Sequence, residues 1–157
     1  MFVHYFTHVP LPLSEVERRI DVVKKHMGDM ADVAYREGEE LRSKVGPWDD
    51  GFAKEIDLEI GTPQILNTGI SYPMTWIAHG GEILFPRLSA ELVLAHVGHD
   101  TTRIALEGTY DPPLGLVGKM ADRVLLGHFA DATVRHWVDR LAEALVEAEL
   151  RAAGEER

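Results

Sequence analysis

Tyr72, Trp76, His96 and Tyr110 are the residues of this chain best placed to do chemistry inside a cavity, because each carries a polar group on a ring and falls at an alternating position in an apolar run. An inward-facing polar tip needs a partner, whether a side chain, a water or a ligand. His96 could act as a general base with Tyr72 or Tyr110 orienting a carbonyl, a role that requires the base within hydrogen-bond reach of a substrate proton. It could equally be a core histidine satisfied by a neighbour. The chain holds eight histidines, but only His4 and His8 show a His-x-x-x-His spacing. On a strand that spacing separates them by more than about 12 Å, at roughly 3.3 Å per residue, so no metal site is expected. Glu55, Asp57 and Glu59 share a strand whose acidic face is read as exposed, with no pocket in which paired carboxylates could do acid/base work. No nucleophile elbow, phosphate loop or dinucleotide fingerprint is present, so no cofactor is expected.

The elements that must position these groups are strands followed by a helix. Phe2, Val3, Tyr5, Phe6, Thr7 and Val9 predict a first strand over Met1 to Val9, ended by Pro10 and Pro12. Ser14 with Glu17 three residues on predicts a capping box and a first helix that Gly28 breaks. A second, charged helix is expected from Asp29 to Val45. The segments Gly46-Pro47 and Asp49-Asp50-Gly51 mark a loop carrying Trp48.

Strict alternation in Glu55-Ile56-Asp57-Leu58-Glu59-Ile60 predicts the next strand. Gly61, Pro63 and Asn67 interrupt the pattern, and alternation resumes through Ile70, Tyr72, Met74 and Trp76 to a Gly80-Gly81 turn. Ala90, Leu92, Leu94 and His96 form one face of a further strand, which turns at Gly98-His99-Asp100. The last strand presents Ile104, Leu106, Gly108 and Tyr110 inward, with Arg103 and Glu107 outside. Connections this short make the five or six strands mostly antiparallel.

Pro112 and Pro113 stop the last strand. Beyond Gly115 the chain reads as one long amphipathic helix over Leu116 to Ala153. Ala130, Val134, Trp137, Val138, Leu141, Leu145 and Ala148 form its apolar stripe, and His128, Arg135, His136, Asp139, Arg140, Glu143 and Glu147 the opposite one. Gly154 stands where a helix stop is expected. Strands in a run followed by a helix indicate an α+β fold, and 157 residues without repeats suit a single domain over residues 1–157.

Composition narrows the partners. Hydrophobic content of 45% with 27% charged residues is that of a globular chain. Sixteen basic against twenty-six acidic residues give a formal net charge of −10, which opposes binding to nucleic acid or anionic membrane. The absence of cysteine excludes disulfides, Cys-ligated zinc and thiol catalysis. No apolar run approaches the roughly 20 residues of a membrane span, and the N-terminus has no signal-peptide pattern, so the expected location is the cytoplasm.

The order strand, two helices, antiparallel strands, long C-terminal helix resembles the helix-grip fold of the START and Bet v 1-like (SRPBCC) superfamily, the group that includes polyketide cyclases and lipid-transfer domains. The closest local similarity is Tyr110-Asp111-Pro112-Pro113-Leu114-Gly115-Leu116-Val117-Gly118-Lys119-Met120-Ala121-Asp122-Arg123, since bacterial members often approach their last helix through a similar glycine- and proline-marked segment. The glycine-rich loop of the plant allergen branch is absent, and the second helix is longer and more charged than in many small bacterial members. The resemblance implies an apolar cavity between a curved sheet and the last helix, occupied by a carried ligand or used for cyclisation and dehydration, with no catalytic residues common to all members.

By alternation the lining would be Ile56, Leu58, Tyr72, Met74, Trp76, Leu92, Leu94, His96, Ile104, Leu106 and Tyr110, joined by Met120, Val124 and Leu125 of the helix. Ligand pockets commonly occupy about 300–1,000 Å³. Two functions follow: binding or carriage of an apolar, partly polar small molecule such as a lipid or polyketide-like compound, or an aromatase/cyclase acting through His96, Tyr72 and Tyr110. The carrier is favoured, because His96 is the single inward histidine and has no second strong acid/base group beside it. A projecting last helix would also suit pairing with another chain, a homodimer included, although its charged outer stripe makes this less attractive.

Overall fold

A computed structural model describes residues 1–34, 55–79, 87–111 and 123–155. Six strands form one sheet: β1 (Phe2–Val9), β2 (Glu55–Ile60), β3 (Gln64–Leu66), β4 (Gly69–His79), β5 (Arg87–His96) and β6 (Thr102–Asp111). Their order is β1-β6-β5-β4-β2, with β3 also on β4, and every pairing is antiparallel. The first and last strands are therefore neighbours. The helices are α1 (Leu13–Val23), α2 through residues 27–34, and α3 (Arg123–Glu155). The fold is thus α+β: a six-stranded antiparallel sheet with a C-terminal helix.

One sheet face is covered. α3, 33 residues and about 50 Å long at 1.5 Å per residue, packs on β1, β6 and α1, while α1 also reaches β5. The expected stripe meets this layer: Ala130, Val134, Trp137, Val138, Leu141 and Leu145 are buried, and His128, Arg135, His136, Glu143 and Glu147 are exposed. From the sheet come Val3, Leu88, Leu92, Leu94, Ile104 and Leu106, and from α1 Val16, Ile20 and Val23. Each such side chain contributes about 1.5–3 kcal/mol on full burial. Buried Thr102 donates its hydroxyl to the Leu11 carbonyl (2.8 Å), closing the chain after β1 against β6.

Local signals were overruled in four places. The capping box of Ser14 and Glu17 is not made; α1 starts at Leu13 with Pro12 as its N-cap and no side-chain cap. The Pro12 carbonyl accepts from the amides of Glu15 (3.0 Å) and Val16 (3.2 Å), which shifts Ser14 inside the helix. Gly28 does not break the helical run. The interruption is a 3-10 turn at Lys24–His26, and Gly28 lies within α2. Gly154 does not stop α3, which continues through Glu155.

The fourth place is β3, which sits in the stretch read as irregular. It is a three-residue exposed strand, present because Gln64, Ile65 and Leu66 pair with Ser71, Ile70 and Gly69. Pro73 tolerates its place in β4 for a related reason. β2 ends at Ile60 opposite Met74 and β3 begins at Gln64 opposite Ser71, so Pro73 faces the turn between them. Its carbonyl accepts from Gly61 (2.7 Å), and its missing N–H leaves no ladder bond unmade.

Residues 35–45 of the expected second helix, the loop with Trp48, the Gly80-Gly81 turn and residues 112–122 lie outside the described residues. Among the described residues no helix is long and apolar enough to cross a membrane.

Candidate functional site

The covered face gathers part of the expected lining. Tyr72, Met74 and Trp76 alternate along β4 and are buried, Leu58 on neighbouring β2 is half-buried, and buried Tyr110 lies on β6 opposite Leu88. Leu92, Leu94, Ile104 and Leu106 also face the helices, packed as fully buried core. Ile56 pairs with Ala78, Val124 and Leu125 belong to α3, and the side chains of all three lie outside those described. Met120 lies outside the described residues.

His96 departs from the expectation: it is exposed. Its row across the sheet is Val9, Thr102, His96; Val9 and Thr102 are buried beneath the Leu11 segment, and the cover ends before β5. Alternation assigns a residue to a side of the sheet, but burial depends on what lies above that point. His96 is consequently not brought together with Tyr72 and Tyr110 as a buried catalytic set.

The two tryptophans join sheet to helix. Trp76 meets Trp137 edge-on, with ring centroids 6.1 Å apart, and Trp137 donates its indole N–H to the Met27 carbonyl (3.2 Å). Tyr72 and Trp76 are buried as residues, yet neither the phenol oxygen nor the indole nitrogen is among the buried side-chain atoms left without a partner. Lys24, in the 3-10 turn after α1, stands over Tyr72 with its Nζ 4.6 Å from the ring centre. Burial holds the Tyr72 phenol above its ordinary pKa, and the carboxylates of Asp21 and Glu17 push the same way.

The opposite face carries a second feature, one the sequence reading missed. Phe2, Thr109, Ser89, Thr75 and Glu59 form one cross-strand row over five strands, and His4, Glu107, Glu91 and Pro73 form the next. Apart from His4, the residues of these rows line an open trough of about 1110 Å³. Glu91 and Glu107 stand directly opposite one another, and Ser71 donates to Glu91 Oε2 (2.9 Å). Glu59, expected on a plain exposed face, is therefore on a concave wall with two further carboxylates. The only signal for this was three glutamates on three strands, whose meeting depends on register.

The histidines remain dispersed. His4 and His8 alternate with Phe2 and Phe6 in an outward ladder whose successive centroids are 6.5, 5.9 and 5.6 Å apart, so Phe6 separates the two imidazoles. His99 accompanies Asp100 at the β5–β6 turn, its pKa raised by their hydrogen bond and then by the Asp100 charge. Among the described residues no group of three or more His, Asp or Glu could hold a metal ion.

No family model matches the chain, and no curated protein matches it in sequence. In structure it is similar to TTHA0849 from Thermus thermophilus, with 16% identity and a TM-score of 0.50 over 94% of this chain and 99% of that one. A hypothetical protein, jhp0584 from Helicobacter pylori, aligns with 11% identity and a TM-score of 0.43 over 85% of this chain and 86% of the other. The likeness to the Thermus protein is one of fold.

Proposed function

We propose that this chain is a helix-grip domain of the START and Bet v 1-like kind that binds or carries an apolar, partly polar small molecule between the sheet and α3. The reading is supported by the element order and by the adjacency of β1 and β6 beneath the last helix. One observation carries it: Tyr72, Trp76 and Tyr110, on the helix-facing side of the sheet, put three rings with polar groups into an otherwise largely aliphatic layer. A filled aliphatic core has no use for such groups, whereas ligand sites combine an apolar lining with a few placed hydrogen-bonding tips. A carrier is favoured over a cyclase because exposed His96 leaves the cyclase reading without its base.

Native mass spectrometry of protein purified from the cell that makes it tests this. A retained small-molecule adduct, displaced by an apolar dye, is the expected result. Recovery of empty protein that binds no apolar dye would overturn the proposal.

A further inference from the structure

β1 and β2 are the two ends of the sheet order, and their edges are built differently. An open edge strand is a template for pairing, which proteins blunt with charges, proline, bulges or shortness. β2 carries Glu55, Asp57 and Glu59 at alternate positions of a six-residue strand. β1, Phe2–Val9, has no Lys, Arg, Asp, Glu, Pro or Gly, and its eight residues pair with β6 in unbroken register. Phe2 and Phe6 are 70% and 45% exposed. Beneath α3, Tyr5 and Thr7 are only half-buried, whereas Val3 and Val9 are buried.

The ladder shows which backbone groups of β1 are left over. Met1 and Tyr110 exchange two hydrogen bonds: the N-terminal ammonium donates to the Tyr110 carbonyl (2.9 Å), and the Tyr110 amide to the Met1 carbonyl (2.7 Å). Bonded and non-bonded pairs alternate along an antiparallel ladder, so Val3, Tyr5, Thr7 and Val9 turn their backbone groups to β6. Phe2, His4, Phe6 and His8 turn theirs to the open edge. Among the described residues no strand pairs there. The same four side chains form the outward ring ladder.

A second copy of β1 complements this edge. Directly opposed residues of antiparallel strands share a face, so a two-fold pairing must set outward residues against outward ones. One register does this with every edge group used: Phe2 opposite His8, His4 opposite Phe6, and Tyr5 opposite Tyr5 on the axis. A shift of two residues either way leaves one edge residue of each copy unpaired. The full register also sets a phenyl ring against an imidazole in each outward pair, as in the ladder within one chain. At a formal net charge of −10, two copies repel; β1 lets their backbones meet where neither brings a carboxylate.

We propose that the chain forms a two-fold dimer by antiparallel pairing of β1 with β1, Tyr5 opposite Tyr5, so that one sheet runs through both copies.

The test uses the full chain. Sedimentation velocity over a dilution series is expected to show a monomer–dimer equilibrium, and hydrogen exchange to show the His4, Phe6 and His8 amides slowing as concentration rises. His4→Pro removes an N–H that β6 does not use, and with it a bond from each copy across the seam. It should weaken dimerisation about tenfold or more while leaving β1 in the sheet. Phe6→Lys, which brings an ammonium to the seam, should also weaken it. Because the chain has no cysteine, single-cysteine variants read the register. Tyr5→Cys is expected to give a disulfide-linked dimer on mild oxidation, since opposed Cα atoms of a non-bonded pair lie about 4.5 Å apart. Thr7→Cys, which faces Val3 of the other copy, is not.

A chain that stays monomeric on concentration, a dimer untouched by both seam substitutions, or Thr7→Cys crosslinking as readily as Tyr5→Cys would each overturn the proposal. So would edge amides that slow only when an extended peptide of another protein is added, because β1 would then be a docking strand for a different chain.

Discussion

Trp76 and Trp137 meet edge to face, their ring planes at 78° and their centroids 6.1 Å apart, and so join β4 to α3 across the core. The arrangement sets the positive edge of one ring against the negative face of the other, which adds about 0.5–1.5 kcal/mol to the area the rings bury. Because Trp137 also donates to Met27, one side chain fastens the last helix to both the sheet and α2.

Trp137→Phe removes that hydrogen bond, leaves the Met27 carbonyl short of a donor and opens part of the space of a fully buried indole. The expected loss is about 2–4 kcal/mol of unfolding free energy, read from urea titration. A change within about 0.5 kcal/mol, the range of ordinary surface substitutions, would show that the contact does not hold α3 in place.

Gly108 and Gly28 should respond to alanine in opposite directions. A Cβ at Gly108 would lie 2.3 Å from the Ser89 carbonyl oxygen and 2.5 Å from Ala90 Cβ, so β6 and β5 would have to part. At Gly28 nothing lies within 4 Å and the residue is helical. Gly108→Ala is expected to cost about 2 kcal/mol or more, and Gly28→Ala to stabilise by about 0.4–1 kcal/mol. Thermal melts of the two variants check this, and a neutral Gly108→Ala would contradict the close strand approach.

Glu91 and Glu107 face each other on adjacent strands, with His4 opposite Glu107 on its other side. Like charges directly opposed are destabilising, so Glu107→Gln should raise stability by about 0.2–1 kcal/mol. The gain should shrink as salt is added, because both groups are exposed. Melting curves at low and high ionic strength provide the measurement; a gain independent of salt would exclude relief of repulsion as its cause.

Tyr5 donates its hydroxyl to Asp139 Oδ1 (2.9 Å), tying β1 to α3. Burial, then the hydrogen bond to Asp139 and its charge, hold the Tyr5 phenol above its ordinary pKa of 10.0, and Tyr72 is raised as well. A raised phenol favours the neutral form in the folded state. The associated stability is present below about pH 10, the unfolded value, and is lost as pH rises through the folded values. Stability should therefore fall on the alkaline side, less steeply in Tyr5→Phe and less again with Tyr72→Phe. Identical alkaline slopes in wild type and both variants would refute the linkage.

The legible parts were those set by local period. Strand β2 was readable to its ends from six alternating residues, β1 to within one residue, and the buried stripe of α3 from its helical spacing. Capping and breaking signals were less reliable. Pro12 offered its carbonyl to the first turn of α1 ahead of Ser14, and Gly28 stayed helical within a packed layer. β3 carried no pattern at all, since three exposed residues form a strand only when β4 supplies the partner.

For the candidate site, sequence by itself assigned Tyr72, Trp76 and Tyr110 to the helix-facing side, because successive side chains in a strand point to opposite faces whatever the rest of the chain does. It could not place His96, which shares that side but lies where the covering layer has ended. Nor could it bring Glu59, Glu91 and Glu107 together on one wall, or show that Lys24 stands over the Tyr72 ring. Periodicity is a property of neighbours along the chain, whereas cover, cross-strand register and the charge around a buried group come from segments distant in sequence. Those relations exist only once the sheet has paired and α1 and α3 have settled on it.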